Sequence, residues 1–173
     1  MFLLNFEYDI PARPIAETLQ KQEDIFEKVR QGMRGNTVIL AEHESVYTYV
    51  LGKMSGNGLL KDGDRDALRA PLIPVRRAGS ITYHGPGQLV CYFIFNLKNV
   101  NFGMLGLNTL IDKSIIDLLA YYGISGVPKP EHLPVEASGV WVCGASDVPR
   151  KIASRGTKTT AAVTRFGCAI NLS

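Results

Sequence analysis

Arg77-Ala78-Gly79-Ser80-Ile81-Thr82-Tyr83-His84-Gly85-Pro86-Gly87-Gln88 brings flexible backbone, a phenol, an imidazole and a guanidinium into one short stretch. Gly79, Gly85 and Gly87 open backbone angles closed to other residues and let a ligand approach the main chain, while Pro86 stiffens the turn between them. The run that follows, Gln88 to Asn96 (QLVCYFIFN), is apolar enough for a buried strand and ties one end of the loop to the core. The stretch therefore reads as the wall of a binding site. It is not a nucleotide loop, because neither a second pair of glycines nor a Gly-Lys-Ser/Thr follows Gly85-Pro86-Gly87.

On the N-terminal side, Met1 to Tyr8 alternates loosely and reads as a strand. Ile15, Leu19, Ile25, Phe26 and Val29 recur at helical spacing, which predicts an amphipathic helix over 15–29. Thr37–Ala41 and Val46–Tyr49 are β-branched and apolar, as strands are. Residues 52–70 are rich in Gly, Asn, Asp, Lys and Arg, the composition of an exposed loop, and Leu72–Arg77 resumes as a strand. On the C-terminal side, apolar residues from Leu107 to Tyr122 fall at three-and-four spacing and predict a second helix, stopped by Gly123. Gly139–Cys143, Lys151–Ser154 and Val163–Leu172 read as further strands, the last two joined around Thr157–Thr160, with Gly144–Pro149 as a turn. Trp141 reads as a core residue. Many strands, two long helices and no regular strand–helix alternation predict an α+β fold with a mixed or antiparallel sheet.

A chain of 173 residues is the size of one well-cored domain, here 1–173. No apolar run is long enough to span a bilayer, and the N-terminus lacks the pattern of a secretion or transit signal, so a cytoplasmic location is expected. Cys91, Cys143 and Cys168 form no CxxC pair, and His43, His84 and His132 lie far apart, so neither disulfides nor a metal site is expected. A net charge of +3 does not by itself imply nucleic acid. Arg150, Lys151, Arg155, Lys158 and Arg165 follow one another with no carboxylate between them. They form either a solvated basic strand pair or a docking face for an acidic partner.

Arg77–Gln88 resembles the R-G-G-x-x-T-Y-H-G-P-G-Q signature of the lipoyl(octanoyl) transferase family, whose fold is that of the biotin and lipoate protein ligase catalytic domain. Four more segments in the same order are similar to family motifs: Glu42-His43 with Val46-Tyr47-Thr48, Gly139-Val140-Trp141-Val142, Lys151-Ile152-Ala153-Ser154 with Gly156, and Val163-Thr164 with Gly167, Ala169 and Asn171. The resemblance implies transfer of an octanoyl group from acyl carrier protein to a lysine of a lipoyl domain through an enzyme thioester, with no cofactor. The acceptors implied are the lipoyl domains of 2-oxoacid dehydrogenases and the glycine cleavage H protein; no nucleic acid or membrane partner is implied. Carried over position by position, Arg77, Ala78, Gly79, Ser80, Ile81, Thr82, Tyr83 and His84 line the acyl and phosphopantetheine site. Ser154, Arg155 and Gly156, with Gly167, Cys168 and Ala169, form its other walls. Ile81, Tyr83 and Ile170 are candidates for the apolar tunnel. Lys151 is the lysine that lowers the pKa of the attacking thiol, which agrees with the chemistry: a thiolate attacks a thioester, and a nearby ammonium favours the thiolate.

The chain departs from the family pattern in three places. The family's nucleophilic cysteine belongs to a P-C-G-like motif beyond the strand that ends at Asn171, so the expectation is a domain lacking its C-terminal segment, with Cys168 the substitute candidate. Phe166 stands where the family has histidine, and Ala78 stands for a loop glycine. The alternative to catalysis is an inactive protein that binds the acyl group and its carrier. The T-Y-H-G-P-G-Q form of the loop and the K-I-A-S segment favour a transferase over an ATP-using ligase.

Overall fold

The computed structural model describes residues 4–50, 68–79, 81–134, 137–143 and 148–173. Strand β1 (Asn5–Arg13) leads into helix α1 (Ile15–Arg30), and strand β2 (Thr37–His43) returns parallel to β1. Helix α1 buries Ile15, Ile25, Phe26 and Val29, the expected apolar stripe. It also buries Thr18 and Gln22 in that stripe, and both are satisfied: the Thr18 hydroxyl donates to Asp9 at 2.9 Å, and the Gln22 side-chain carbonyl accepts the Phe166 N–H at 2.7 Å. Asp9 also accepts from Lys21 at 2.7 Å, which locks the crossover onto the sheet.

Strands β3 (Val46–Val50), β4 (Leu72–Val75) and β5 (Thr82–His84) form a small sheet in the order β4-β3-β5. The remaining elements are β6 (Gln88–Ile94), α2 (Met104–Tyr121), β7 (Gly126–Pro128), β8 (Gly139–Cys143), β9 (Pro149–Thr160) and β10 (Val163–Asn171). They complete a seven-stranded sheet in the order β1-β2-β6-β10-β9-β8-β7. Only β1–β2 pair in parallel within it, so the sheet is mixed, as expected. One face packs on α2 through Leu107, Ile111, Ile115 and Leu119, the other on α1 around Phe26, Ile39 and Ile94. Side chains as buried as Phe26 and Leu107, each 1% exposed, contribute about 1.5–3 kcal/mol apiece.

Several boundaries differ from the sequence expectation. β1 continues to Arg13, because Glu7 and Asp9 find cationic partners in Lys21 and Arg34 that make a polar inner face tolerable. The first strand's residues 1–3, most of the 52–70 loop and the 144–147 part of the turn lie outside the described residues. The 157–160 segment is strand, not a connection, since threonines suit a pleated strand; the turn is Ala161-Ala162, both at positive φ (49° and 64°). Leu110, Leu118 and Tyr122 of the second helical segment face outward, so the buried stripe of α2 is narrower than the apolar spacing suggests. Among the described residues no helix is long and apolar enough to cross a membrane.

Candidate active site

Where the two sheets face each other, a cavity of about 310 Å³ opens between α1, the Arg77–Ile81 loop and the central strands β6, β10 and β9. This lies within the range of small-molecule sites. Its apolar wall is built by Ile15, Leu19, Val75, Ile81, Val90 and Phe166. Cations and hydroxyls enter from the opposite side.

Arg77 is the centre of the polar wall. Its Nη2 donates to the Thr48 carbonyl at 3.2 Å, to Thr48 Oγ1 at 2.9 Å and to Thr82 Oγ1 at 2.8 Å, and Nη1 donates to the Ala78 carbonyl at 2.9 Å. No carboxylate pairs with it among the described residues, and burial lowers its pKa to about 10. His84 continues the chain: Nδ1 is 2.7 Å from Gln88 Oε1 and Nε2 is 3.3 Å from Thr48 Oγ1. A carbonyl oxygen at Nδ1 assigns the proton to that nitrogen, leaving Nε2 to accept from the Thr48 hydroxyl. Burial holds His84 down to about 4, so the ring is neutral near pH 7. Beneath it His43 Nε2 lies 2.7 Å from the Tyr92 hydroxyl; burial depresses the imidazole to about 4 and raises the phenol.

Lys151 projects from β9 beside Trp141 of β8, its partner in register, with Nζ 5.9 Å from the indole centre. Among the described residues no hydrogen bond or ion pair holds its ammonium. Burial, and then the neighbouring Arg155, lowers its pKa from the ordinary lysine value. Arg155 itself is committed elsewhere: Nε and Nη2 grip Asp112 at 2.8 and 3.0 Å, tying β9 to α2. The cavity thus faces Arg77 and Lys151, two cations that form no ion pair among the described residues, and a neutral imidazole.

The structure brings together most of the residues singled out in the sequence. Arg77, Gly79, Ile81, Thr82, His84, Lys151, Ser154, Arg155, Gly156, Gly167, Cys168 and Ala169 all line the cavity. Three do not. Tyr83 points away, because alternation along β5 turns it opposite to Thr82 and His84: it is 44% exposed, its hydroxyl is 3.0 Å from Ser45 Oγ, and its ring packs 5.2 Å from Tyr47. Ile170 faces the α2 core. Ala78 turns its carbonyl onto Gly156 and borders a neighbouring cavity. Ser80 lies outside the described residues. Thr48, Tyr92 and Trp141 also line the cavity, although the sequence does not mark them as site residues; Trp141 is half-buried on the wall rather than in the core. Thr48 is traceable, since it shares the inward alternation of Val46 in β3.

Cys168 touches the cavity but is 4% exposed and pairs across β10–β6 with Cys91, and its hydrogen bond with the Cys91 thiol, and then burial, pushes its own thiol well above the ordinary range. Of the basic run, Arg155 is bound to Asp112, and Arg165 is bound to Glu23 at 2.8 Å and stacked 3.6 Å over Phe26. Only part of the run is therefore available as a docking face.

Solved structures sharing this fold include a putative lipoate protein ligase from T. acidophilum with bound lipoic acid (TM-score 0.71, 11% identity, 99% of this chain and 66% of that one). Another is a lipoate-protein ligase A bound with ATP (TM-score 0.69, 13% identity, 97% and 66%). The chain therefore spans about two thirds of those ligase chains. Among curated proteins, it is 37% identical over 164 residues to an octanoyltransferase of Bacteroides thetaiotaomicron, covering 92% of this chain and 70% of that protein. It is 32% identical over 164 residues to one of Bacteroides fragilis, covering 92% and 72%. Residues 14–173 match the lipoyl protein ligase A/B catalytic domain. With the shared fold and the cavity built from the same motifs, the chain belongs to the lipoyl protein ligase A/B catalytic domain family.

Proposed function

We propose that the chain transfers an octanoyl group from the thioester of an acyl carrier protein to the side-chain amine of a lysine on a lipoyl domain. The observation that carries this reading is Lys151: a partly buried ammonium that forms no ion pair among the described residues, on the wall of a cavity whose other side is apolar. The apolar side receives the acyl chain, each buried methylene contributing about 0.8 kcal/mol. Relatives named octanoyltransferase, at 32% and 37% identity, support the acyl group and the reaction class.

Lys151 serves both halves of the transfer. A thiolate attacks the thioester carbonyl carbon, the oxyanion collapses, and the carrier's sulfur leaves with a proton from the Lys151 ammonium. The acceptor amine then attacks the new thioester and gives its proton to the neutral Lys151, and the enzyme thiolate is released. A lysine lowered by burial exchanges that proton at a smaller cost than a solvated one. Arg77 and the Thr48–His84 chain hold the loop that forms the polar wall. On the resemblance, the attacking thiol belongs to a P-C-G-like segment that these 173 residues do not include.

A second reading, binding of the acylated carrier without transfer, is favoured by the burial and raised pKa of Cys168, the cysteine of this chain on the cavity wall. Mixing octanoyl-acyl carrier protein and an unmodified lipoyl domain with a form of the protein that carries the P-C-G-like segment, and weighing the lipoyl domain by mass spectrometry, separates the two. Transfer adds one octanoyl group, is lost in Lys151→Ala and persists in Cys168→Ser. Carrier binding without transfer supports the second reading, and absence of both overturns both.

A further inference from the structure

Phe166 breaks the alternation of β10. Successive side chains of a strand point to opposite faces, and beyond Gly167 β10 obeys: Cys168 and Ile170 belong to the core under α2, Ala169 to the core under α1. Arg165 and Phe166, however, share the α1 face. Arg165 pairs with Glu23 and stacks over Phe26, while Phe166 packs on the cluster around Phe26, gives its N–H to Gln22 at 2.7 Å and sets its ring 6.5 Å from that of Tyr92. The cause is a left-handed backbone at Phe166, with φ at 60°, which a bulky residue rarely adopts and which persists only where its surroundings hold it. Gln22, buried in α1, is that hold. The strained backbone thus turns a half-buried aromatic ring onto the cavity wall beside Ile15 and Leu19. Lys151 lines the same cavity from a position six residues before Thr157, the register partner of Phe166, which is about 20 Å of strand. The ring and the ammonium therefore stand toward opposite ends of the cavity.

We propose that Phe166 is a specificity-determining residue: its ring closes the apolar end of the cavity and limits the straight acyl chain accepted there to about the length of octanoyl. This rests on the acyl-transfer reading, which puts the reacting carbonyl beside Lys151 and so sends the methyl end of the chain toward Phe166. The family signature has a histidine at this place, so the limit is a property of this chain and not of the motif. An apolar ring meets a methyl end without leaving a polar group unpaired, whereas an imidazole there turns a ring nitrogen toward the chain.

Calorimetry on the 173-residue chain with a ladder of hydrolysis-stable probes tests this: N-hexanoyl, N-octanoyl, N-decanoyl and N-dodecanoyl ethylamine. Each methylene buried tightens binding about fourfold, so the parent is expected to bind the octanoyl probe about fifteenfold more tightly than the hexanoyl one, and the decanoyl probe no more tightly than the octanoyl. Phe166→Gly removes the ring and accepts the left-handed backbone without strain; it is expected to favour decanoyl over octanoyl by about tenfold. Phe166→Leu, apolar but shorter, is expected to favour decanoyl by about threefold, and it reads chain length should Phe166→Gly fail to fold. The same length profile in the parent and the folded variants, with the octanoyl probe bound, overturns the role of Phe166 and leaves the acyl cavity standing. A parent whose affinity keeps rising to the dodecanoyl probe overturns it as well. Failure of the parent to bind any of the four overturns the acyl-transfer reading, and this inference with it.

Discussion

The carbonyl oxygen of Ala78 lies against Gly156, so close that a Cβ added at Gly156 would stand 2.7 Å from it. Two segments far apart in the chain, the Arg77–Gly79 loop and β9, meet there as the wall between the two cavities. The missing side chain is what permits their contact, and Gly156 is not at positive φ, so the requirement is space rather than backbone angle.

Gly156→Ala is expected to push the loop outward, because the atom in its way belongs to the backbone and cannot rotate aside. Overpacking of this kind costs about 1–3 kcal/mol. Octanoyl-probe affinity should fall about tenfold or more, read by calorimetry, with a smaller change in melting temperature.

The Ala161-Ala162 turn carries strain away from the site. Left-handed backbone costs an alanine about 1–2 kcal/mol per residue, and a two-residue hairpin of this hand favours an Asn-Gly pair. The double substitution Ala161→Asn with Ala162→Gly should raise the melting temperature by several degrees without altering transfer.

Protonation of two histidines links stability to acid. His43 and His84 are depressed by burial to about 4 from an ordinary 6.5, so the unfolded chain binds more protons than the folded one between those values. Stability should therefore fall as pH drops from 6.5 toward 4, and denaturant titrations of His84→Gln should show a shallower fall.

For Lys151 the sign runs toward base. Burial lowers its folded pKa, so charging it costs stability at neutral pH, and that cost is relieved as pH rises through the lowered value toward 10.5. Lys151→Met should be at least as stable as the parent at pH 7, with the difference shrinking in alkali, while transfer is lost. A less stable variant at pH 7 would contradict the assignment of burial as the cause.

Much of this is legible in the residues because periodicity and burial agree: α1 over 15–30, β6 after the loop, and a loop wall that does face a cavity. Tyr83 is one exception within the stretch, because Thr82–His84 form a strand whose alternation turns the phenol outward, and a glycine-rich stretch does not announce that alternation. Trp141 looks like core because size and apolarity do not distinguish a packed indole from one facing a cavity beside a lysine. Nor can charge counting see that Arg155 and Arg165 are held by Asp112 and Glu23, partners 43 and 142 residues away in the chain.

The central claim is that Lys151 moves the proton in octanoyl transfer. Its most direct test is the rate of transfer from octanoyl-acyl carrier protein to a lipoyl domain as a function of pH, for the parent and for Lys151→Ala, each in a form that carries the P-C-G-like segment. The account predicts a titration in the parent rate below the usual lysine range that disappears in the variant, together with a loss of at least about a hundredfold in rate, the scale of general acid–base catalysis. A variant that transfers at the parent rate, with the same pH dependence, would contradict it.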